Sequence, residues 1–384
     1  MSCSFCSILV ILGAELALNN LSKIRGPPHL DKGTFLRPGK TTLAEYLLKW
    51  LSDYAKPNLS PRGYERYQGI ITKYLIPDFG SITLTQLRPE HLQKHYTGKL
   101  NNGLSAGTVR YHHAVIHKAL QTAMKWGLLN HNVADGVDVP RVHHNEMQTW
   151  DEYETNRFLE AAKSTPYYAL FYTALFTGMR RSELLALRWQ DLDFIFSQIS
   201  VSRSLHHLKD GSYVFLQPKS AKSRRTIALS PSAIITLEEH KEKQEAIRNA
   251  LGITLKEDDL VFSTPEGKPL RPNTVTRAWS MLATRAGIKT IRLHDARHTH
   301  ASLMLKQGVH PKVVQERLGH STIAMTLDTY SHVTPGLQQA AAESFDRLLN
   351  HKAGKEAVEV LPPGVFQIIN AKLTPIVDIT ALQT

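Results

Sequence analysis

Cysteine is almost absent from this chain. Of 384 residues only Cys3 and Cys6 carry a thiol, both at the extreme N-terminus. No disulfide framework can therefore staple the body of the chain, which suits a reducing compartment. Cys3-Ser4-Phe5-Cys6 is a lone C-x-x-C with no second pair, and reads as chance rather than a metal or redox site. Long apolar runs are missing too: none approaches the roughly 18 residues that a membrane-crossing helix needs. Phe5 to Leu12 is apolar but short, with no basic residue before it, unlike a signal peptide. There is no low-complexity tract and no repeat of 20–50 residues. Acid is in short supply, with 34 Asp and Glu against 46 Lys and Arg. No group of converging carboxylates stands out, and a two-metal site would require one.

What is present bounds the answer from the other side. At 42% hydrophobic residues the chain can fill its cores, and 384 residues imply two or three domains. A formal charge of +12 attracts polyanions, nucleic acid before a membrane surface.

Residues 1–40 show neither strands nor a core, only a short helical pattern from Ala14 to Leu21 broken by Arg25-Gly26-Pro27-Pro28 and Pro38-Gly39. Over 41–130 the pattern is helical. Thr41 or Thr42 caps a first helix with Glu45 close behind, Ser60-Pro61 opens a second that ends at Pro77-Asp78-Phe79-Gly80, and Arg88 to Leu100 and Ser105 to Trp126 make two more. Lys73, Arg88, Lys94, Lys99, Arg110, His117, Lys118 and Lys125 together suggest a face for phosphates. Residues 131–149 read as a linker. Residues 150–350 form a second domain, helical apart from an expected β region: a strand over Gln198 to Leu205, an Asp210-Gly211 hairpin turn, a strand over Tyr213 to Leu216, a turn over Lys219 to Ser223 and a strand over Arg225 to Leu229. The tail, 351–384, loses the basic bias and is expected to be loosely ordered.

The second domain holds three groups of Arg, His and Tyr: Thr177-Gly178-Met179-Arg180-Arg181-Ser182-Glu183-Leu184, His294-Asp295-Ala296-Arg297, and Leu318-Gly319-His320 with Tyr330 ten residues on. Cutting DNA without hydrolysis needs positive charge around the non-bridging phosphate oxygens, because the pentacoordinate transition state concentrates negative charge there. Guanidinium forks supply it without a metal, and Arg180 and Arg297 are the candidates. Tyr330 can be the nucleophile, its phenolate favoured by nearby arginines. Lys219, in a turn, can reach a leaving oxygen as general acid. Lys222 lies in the same turn and is the alternative.

Taken in order over roughly 41–350, these motifs resemble the tyrosine recombinase, or phage integrase, family. The resemblance implies a fold that is mainly α with a small antiparallel β-sheet: a helical, SAM-like core-DNA-binding domain, then a mixed α+β catalytic domain. It implies a site-specific recombinase that makes a 3′-phosphotyrosyl link through Tyr330, with Arg180, Arg297 and His320 on the phosphate, His294 assisting proton transfer, Lys219 protonating the 5′ leaving group and Glu183 bracing the site. It implies no metal, cofactor or ATP. The implied partners are double-stranded DNA at attachment or core sites, three further copies of the chain in a synapsed homotetramer, and accessory DNA-bending or directionality proteins, in the cytoplasm of a bacterium. The helix Leu337 to Leu349, with its stripe of Leu337, Ala341, Phe345 and Leu348, is expected to pack either on a neighbouring subunit or within its own chain.

Two other readings compete. His294-Asp295-Ala296-Arg297-His298 has the i,i+4 histidines of a zinc hydrolase, with His300 following, but Asp replaces the Glu and Arg297 sets positive charge beside a cation. Val313 to Gly319 followed by Ile323 to Tyr330 has the outline of a helix-turn-helix, as in a non-catalytic DNA-binding regulator. Many integrases of this kind begin with a small β-rich arm-binding domain. Residues 1–40 lack its strands while Lys32-Gly33-Thr34-Phe35 resembles the end of its connector, so a truncated integrase with impaired integration is a further expectation.

Overall fold

The computed structural model describes residues 40–142, 147–217 and 224–330, together with 342 and 345. The chain divides into two compact units, residues 1–144 and 145–384.

The first unit is helical. Thr42 caps α1 (Leu43–Trp50) through a reciprocal capping box: its hydroxyl accepts from the Glu45 N–H at 3.2 Å and the Glu45 carboxylate accepts from the Thr42 N–H at 2.9 Å. The helical spacing of Leu43, Tyr46, Leu47 and Trp50 puts all four into the core. Ser60 caps α2 (Pro61–Ile70). Both helices continue through a wide π-turn, Leu51–Ala55 in the first and Ile71–Leu75 in the second, placed just before Pro57 and Pro77. Proline lacks an N–H and its ring crowds the carbonyl four residues back. A wider turn relieves that crowding, and the helical path runs on to Phe79. Helices α3 (Pro89–Asn101) and α4 (Ala106–Lys125) complete the bundle. The stretch expected as a linker contributes Val133, Ala134 and Val137 to this core, pinned by the Asn132 side chain, which accepts from the Ala134 N–H.

The second unit is built on α6 (Tyr168–Thr177), which is buried on almost every side. Around it lie α5 (Glu152–Ala162), α8 (Pro231–Ala250) and α10 (Asp295–Lys306), with α9 (Pro272–Arg285) against α5. Trp150 and Trp279 stack at 4.8 Å, and Phe158 and Phe171 close on the Trp279 ring. Short α7 (Arg181–Leu184) leads into the β region. Strands β1 (Leu192–Asp193), β2 (Gln198–Val201) and β5 (Arg225–Ala228) form one antiparallel sheet, with Ile199 opposite Ile227. Strands β3 (Ser204–His207) and β4 (Tyr213–Leu216) form a separate hairpin. The single strand expected over Gln198 to Leu205 is therefore two, in different sheets. Its alternation is genuine, since Ile199, Val201 and Leu205 are all buried. The break comes at Ser202-Arg203, where the Arg203 Nε donates to the Ala186 carbonyl at 2.7 Å and the Ser202 hydroxyl to Asp191 at 3.0 Å. Helices α11 (Pro311–Leu318) and α12 (Ile323–Tyr330) end the described part of this unit.

Pro218 to Ser223, with Lys219 and Lys222, lies outside the described residues, as do residues 1–39, 143–146 and, apart from Ala342 and Phe345, 331–384, which include the expected terminal helix and tail.

Candidate active site

The site grows from two helix ends. Helix α6 stops at Gly178, whose φ of +63° is left-handed. Helix α11 stops at Gly319, φ +68°. Both turns expose a carbonyl at the helix terminus, and Arg297, projecting from α10, donates to both: Nη1 to the Gly178 carbonyl at 2.9 Å and Nη2 to the Leu318 carbonyl at 2.6 Å. Arg297 is buried, so its charge is held in one place by backbone. The turn at Gly178 also sets Arg180 in extended backbone at the N-cap of α7.

Arg180 and Glu183 meet as their i,i+3 spacing predicts. The Arg180 Nη1 donates to Glu183 Oε1 at 2.8 Å and the Arg180 N–H to Oε2 at 2.9 Å. A second guanidinium, which the motifs did not reveal, takes the same carboxylate: Arg225 at the start of β5 donates Nη2 to Oε2 at 2.9 Å and Nη1 to Oε1 at 3.2 Å. Burial alone would raise the Glu183 carboxyl, yet Arg225 and then Arg180 hold it down to about 2.

Three histidines gather around these arginines. His320, past Gly319, contacts the Thr326 hydroxyl through Nδ1 at 2.9 Å. Burial, then Arg297 and Arg180, push it down to about 4, so its imidazole is neutral near pH 7. His294, the N-cap of α10, is lowered by burial and then by Arg297. His298, one turn along, meets His294 edge to face at 5.3 Å and is pushed down to about 4 by burial and its neighbour. Arg180, Glu183, His294, Arg297 and His320 are thus brought together. Tyr330 closes α12, for which only its backbone is described.

The sequence reading gave Arg225 and Arg317 no role in the site and took His300 only as a possible zinc ligand. Arg317 spans three elements, donating Nη2 to the Phe176 carbonyl, Nη1 to the Ala228 carbonyl, both at 2.9 Å, and Nε to His300 Nε2 at 3.0 Å. For Arg225 a signal existed: two residues before buried Ile227 on a strand, it shares that residue's inward face. In the first unit, Arg110, His113, His117 and Lys118 line a cleft of about 470 Å³ with Tyr67 and Val139. Lys99, expected on phosphate, instead pairs with Asp78 at 3.0 Å.

A mainly α chain with small antiparallel sheets, carrying this cluster of Arg and His, has the build of a DNA strand-transfer enzyme. The Phage integrase family model matches residues 148–336, and that of the phage integrase N-terminal SAM-like domain matches 42–100. The ICEBs1 integrase of Bacillus subtilis (strain 168) is 30% identical over 311 residues, covering 80% of this chain and 83% of that protein. The chain belongs to the phage integrase family: it is a tyrosine recombinase, an enzyme of DNA strand breakage and rejoining. The fold is shared with the Tn1549 transposon integrase solved in complex with a circular intermediate DNA, at TM-score 0.67 and 21% identity over 80% of this chain and 100% of that one. It is shared also with lambda integrase, solved as a tetramer bound to a Holliday junction, at TM-score 0.57 and 19% identity over 81% of this chain and 87% of that one. Among the described residues no helix is long and apolar enough to cross a membrane.

Proposed function

We propose that this chain is the integrase of a mobile element, a phage or an integrative conjugative element, and that it recombines double-stranded DNA at specific core sites. The observation that carries the residue assignment is the fixed pair of arginines: Arg297 tied to two helix-end carbonyls and Arg180 tied to Glu183. Guanidiniums held this way need no reorganisation when charge develops on a phosphate, and preorganised charge of this kind is usually the largest single contribution to catalysis. Arg180, Arg297 and His320 bind the non-bridging oxygens. The Tyr330 hydroxyl oxygen attacks phosphorus, its proton passing towards His294. The bond to the 5′ oxygen breaks, and that oxygen takes a proton from Lys219. The phosphodiester is replaced by a phosphotyrosyl ester at the 3′ end, so a 5′ hydroxyl from a partner strand can reverse the step with no external energy. Glu183 braces Arg180.

The basic cleft on α4 supports a core-binding role for the first unit, because Arg110 and Lys118 offer positive charge to a DNA backbone there. Two duplexes exchanging strands require four copies of the chain, and DNA-bending or directionality proteins bias the outcome. The reaction takes place on DNA in the bacterial cytoplasm.

A nicked suicide duplex carrying the direct repeat that flanks the element tests the assignment, since loss of the short cleaved fragment traps the covalent adduct. Wild type forms the adduct. Tyr330→Phe forms none but shifts the same duplex in a gel with near-normal affinity, because one hydroxyl contributes little to an interface dominated by phosphate contacts. Adduct formation by Tyr330→Phe moves the nucleophile elsewhere.

A further inference from the structure

Arg225 belongs to none of the motifs that define the site, yet it touches two of them. It enters on β5 with its side chain 6% exposed. Its fork closes on both oxygens of Glu183, and its third nitrogen, Nε, donates to the Arg317 carbonyl at 2.7 Å, two residues before Gly319 and three before His320. The approach depends on Gly319: a Cβ there would stand 3.0 Å from Arg225 Cδ and 3.2 Å from Nη1. One guanidinium therefore spans the gap between the α7 turn that carries Arg180 and the α11 turn that carries His320.

The division of labour on Glu183 is unequal. Arg225 puts two guanidinium nitrogens on the carboxylate and is buried, whereas the Arg180 side chain puts only Nη1 there, its backbone N–H taking Oε2, and is 37% exposed. Among the described residues the Arg180 Nε and Nη2 bond to no protein group. A lone Arg180–Glu183 pair would close into a two-pronged fork, the geometry such pairs prefer. With Arg225 on the carboxylate, one negative charge is shared between two positive ones, and the trio keeps a net positive charge.

We propose that Arg225 is a positioning residue for strand cleavage: by holding Glu183 and the Arg317 carbonyl it leaves two nitrogens of Arg180 for the scissile phosphate and fixes His320 relative to them. This rests on the reading of Arg180 and His320 as phosphate ligands.

The test uses the full-length protein on the nicked suicide duplex above, with either a natural phosphate or a methylphosphonate at the cleaved position. The methylphosphonate replaces one non-bridging oxygen with methyl and so lacks the charge that Arg180 would neutralise. Arg225→Ala should slow adduct formation on phosphate by about 100-fold, the size expected when a catalytic group is misplaced by about 1 Å, with affinity for the duplex unchanged within about threefold. Arg225→Lys keeps the charge but not the fork, and should recover only part of the rate. On the methylphosphonate the Arg225→Ala deficit should shrink at least tenfold, as should that of Arg180→Ala, and the double variant should be no slower than Arg180→Ala alone. Arg225→Lys also serves if the alanine variant does not fold. If Arg225→Ala cleaves phosphate at the wild-type rate, or its deficit is the same on both substrates, Arg225 has no positioning role. If instead Arg180→Ala cleaves normally, the assignment of Arg180 itself has failed.

Discussion

Glu183 is the acid around which the site's positive charge is arranged, and its removal is the sharpest single-residue test of that arrangement. Glu183→Gln keeps the shape and one acceptor but discards the charge, leaving Arg225 6% exposed with no carboxylate against it. Breaking a buried pair from one side costs about 3 kcal/mol or more, because the remaining charge cannot regain its water. The melting temperature by calorimetry should fall accordingly. The pH signature is separate. Burial pulls the carboxyl up, but the arginines hold it at about 2 in the fold, below the ordinary 4.5. Its stabilisation is therefore full above pH 4.5 and is lost as pH falls through about 2. Glu183→Gln should lose the part of the acid sensitivity that falls in this window, and an unchanged profile would show that the carboxylate carries no such linkage. Half of this arrangement was legible: Arg180 and Glu183 three apart on a helix start announce each other. Arg225 lies 42 residues from Glu183, and no local spacing joins them.

At the scale of elements, the two left-handed glycines decide whether α6 and α11 end where Arg297 can bond both. Gly178→Ala puts a methyl group 2.7 Å from Leu318 Cδ2 and 2.8 Å from His300 Cδ2, on a residue with φ +63°. His300 cannot step aside, since Nδ1 donates to the Leu175 carbonyl at 2.8 Å and Nε2 accepts from Arg317. Backbone strain of about 1 kcal/mol and overpacking of about 2 kcal/mol add up to about 3 kcal/mol. Gly211, in the β3–β4 turn, supplies the control: its φ is +86° but nothing lies within 4 Å of a Cβ, so Gly211→Ala should cost about 1 kcal/mol. Equal losses in urea unfolding would mean that the close approach at Gly178 carries no cost of its own. Elements of this kind read well from sequence where a local signal fixes them. The Thr42 and Ser60 caps, the Asp210-Gly211 turn and the stops at Gly178 and Gly319 all do so. The passage from β2 to β3 did not. Alternation continues across it, and only distant bonds from Arg203 and Ser202 bend the chain out of the first sheet.

The whole molecule is strongly basic, and its buried histidines resist protonation, chiefly because burial disfavours the charged ring. His300 shows why. Its Nδ1 faces a carbonyl and must carry the hydrogen, so Nε2 accepts from the Arg317 Nε–H. A proton on Nε2 would set two donors against each other and release Arg317 from the bond that helps it join α6 to β5. Burial, reinforced by Arg317, lowers His300 to about 3 from the ordinary 6.5. His298 and His320 in the same unit, and His112 in the first, are each lowered to about 4, chiefly by burial. In the unfolded chain all four titrate near 6.5, so below that pH the unfolded state binds protons that the fold excludes. Stability is full above pH 6.5 and falls progressively as pH drops towards 4 and 3, where the folded chain begins to protonate as well. For His300 alone the loss between pH 6.5 and 5 is about 2 kcal/mol. His300→Gln offers one amide hydrogen to the Leu175 carbonyl and one oxygen to Arg317 without a proton to gain, so it should flatten the decline. Urea midpoints from pH 7.5 to 5 would measure this. A variant whose midpoint falls as steeply as wild type would show that His300 is not a source of the acid sensitivity, and that the loss comes from other titrating groups such as His298, His320 and His112.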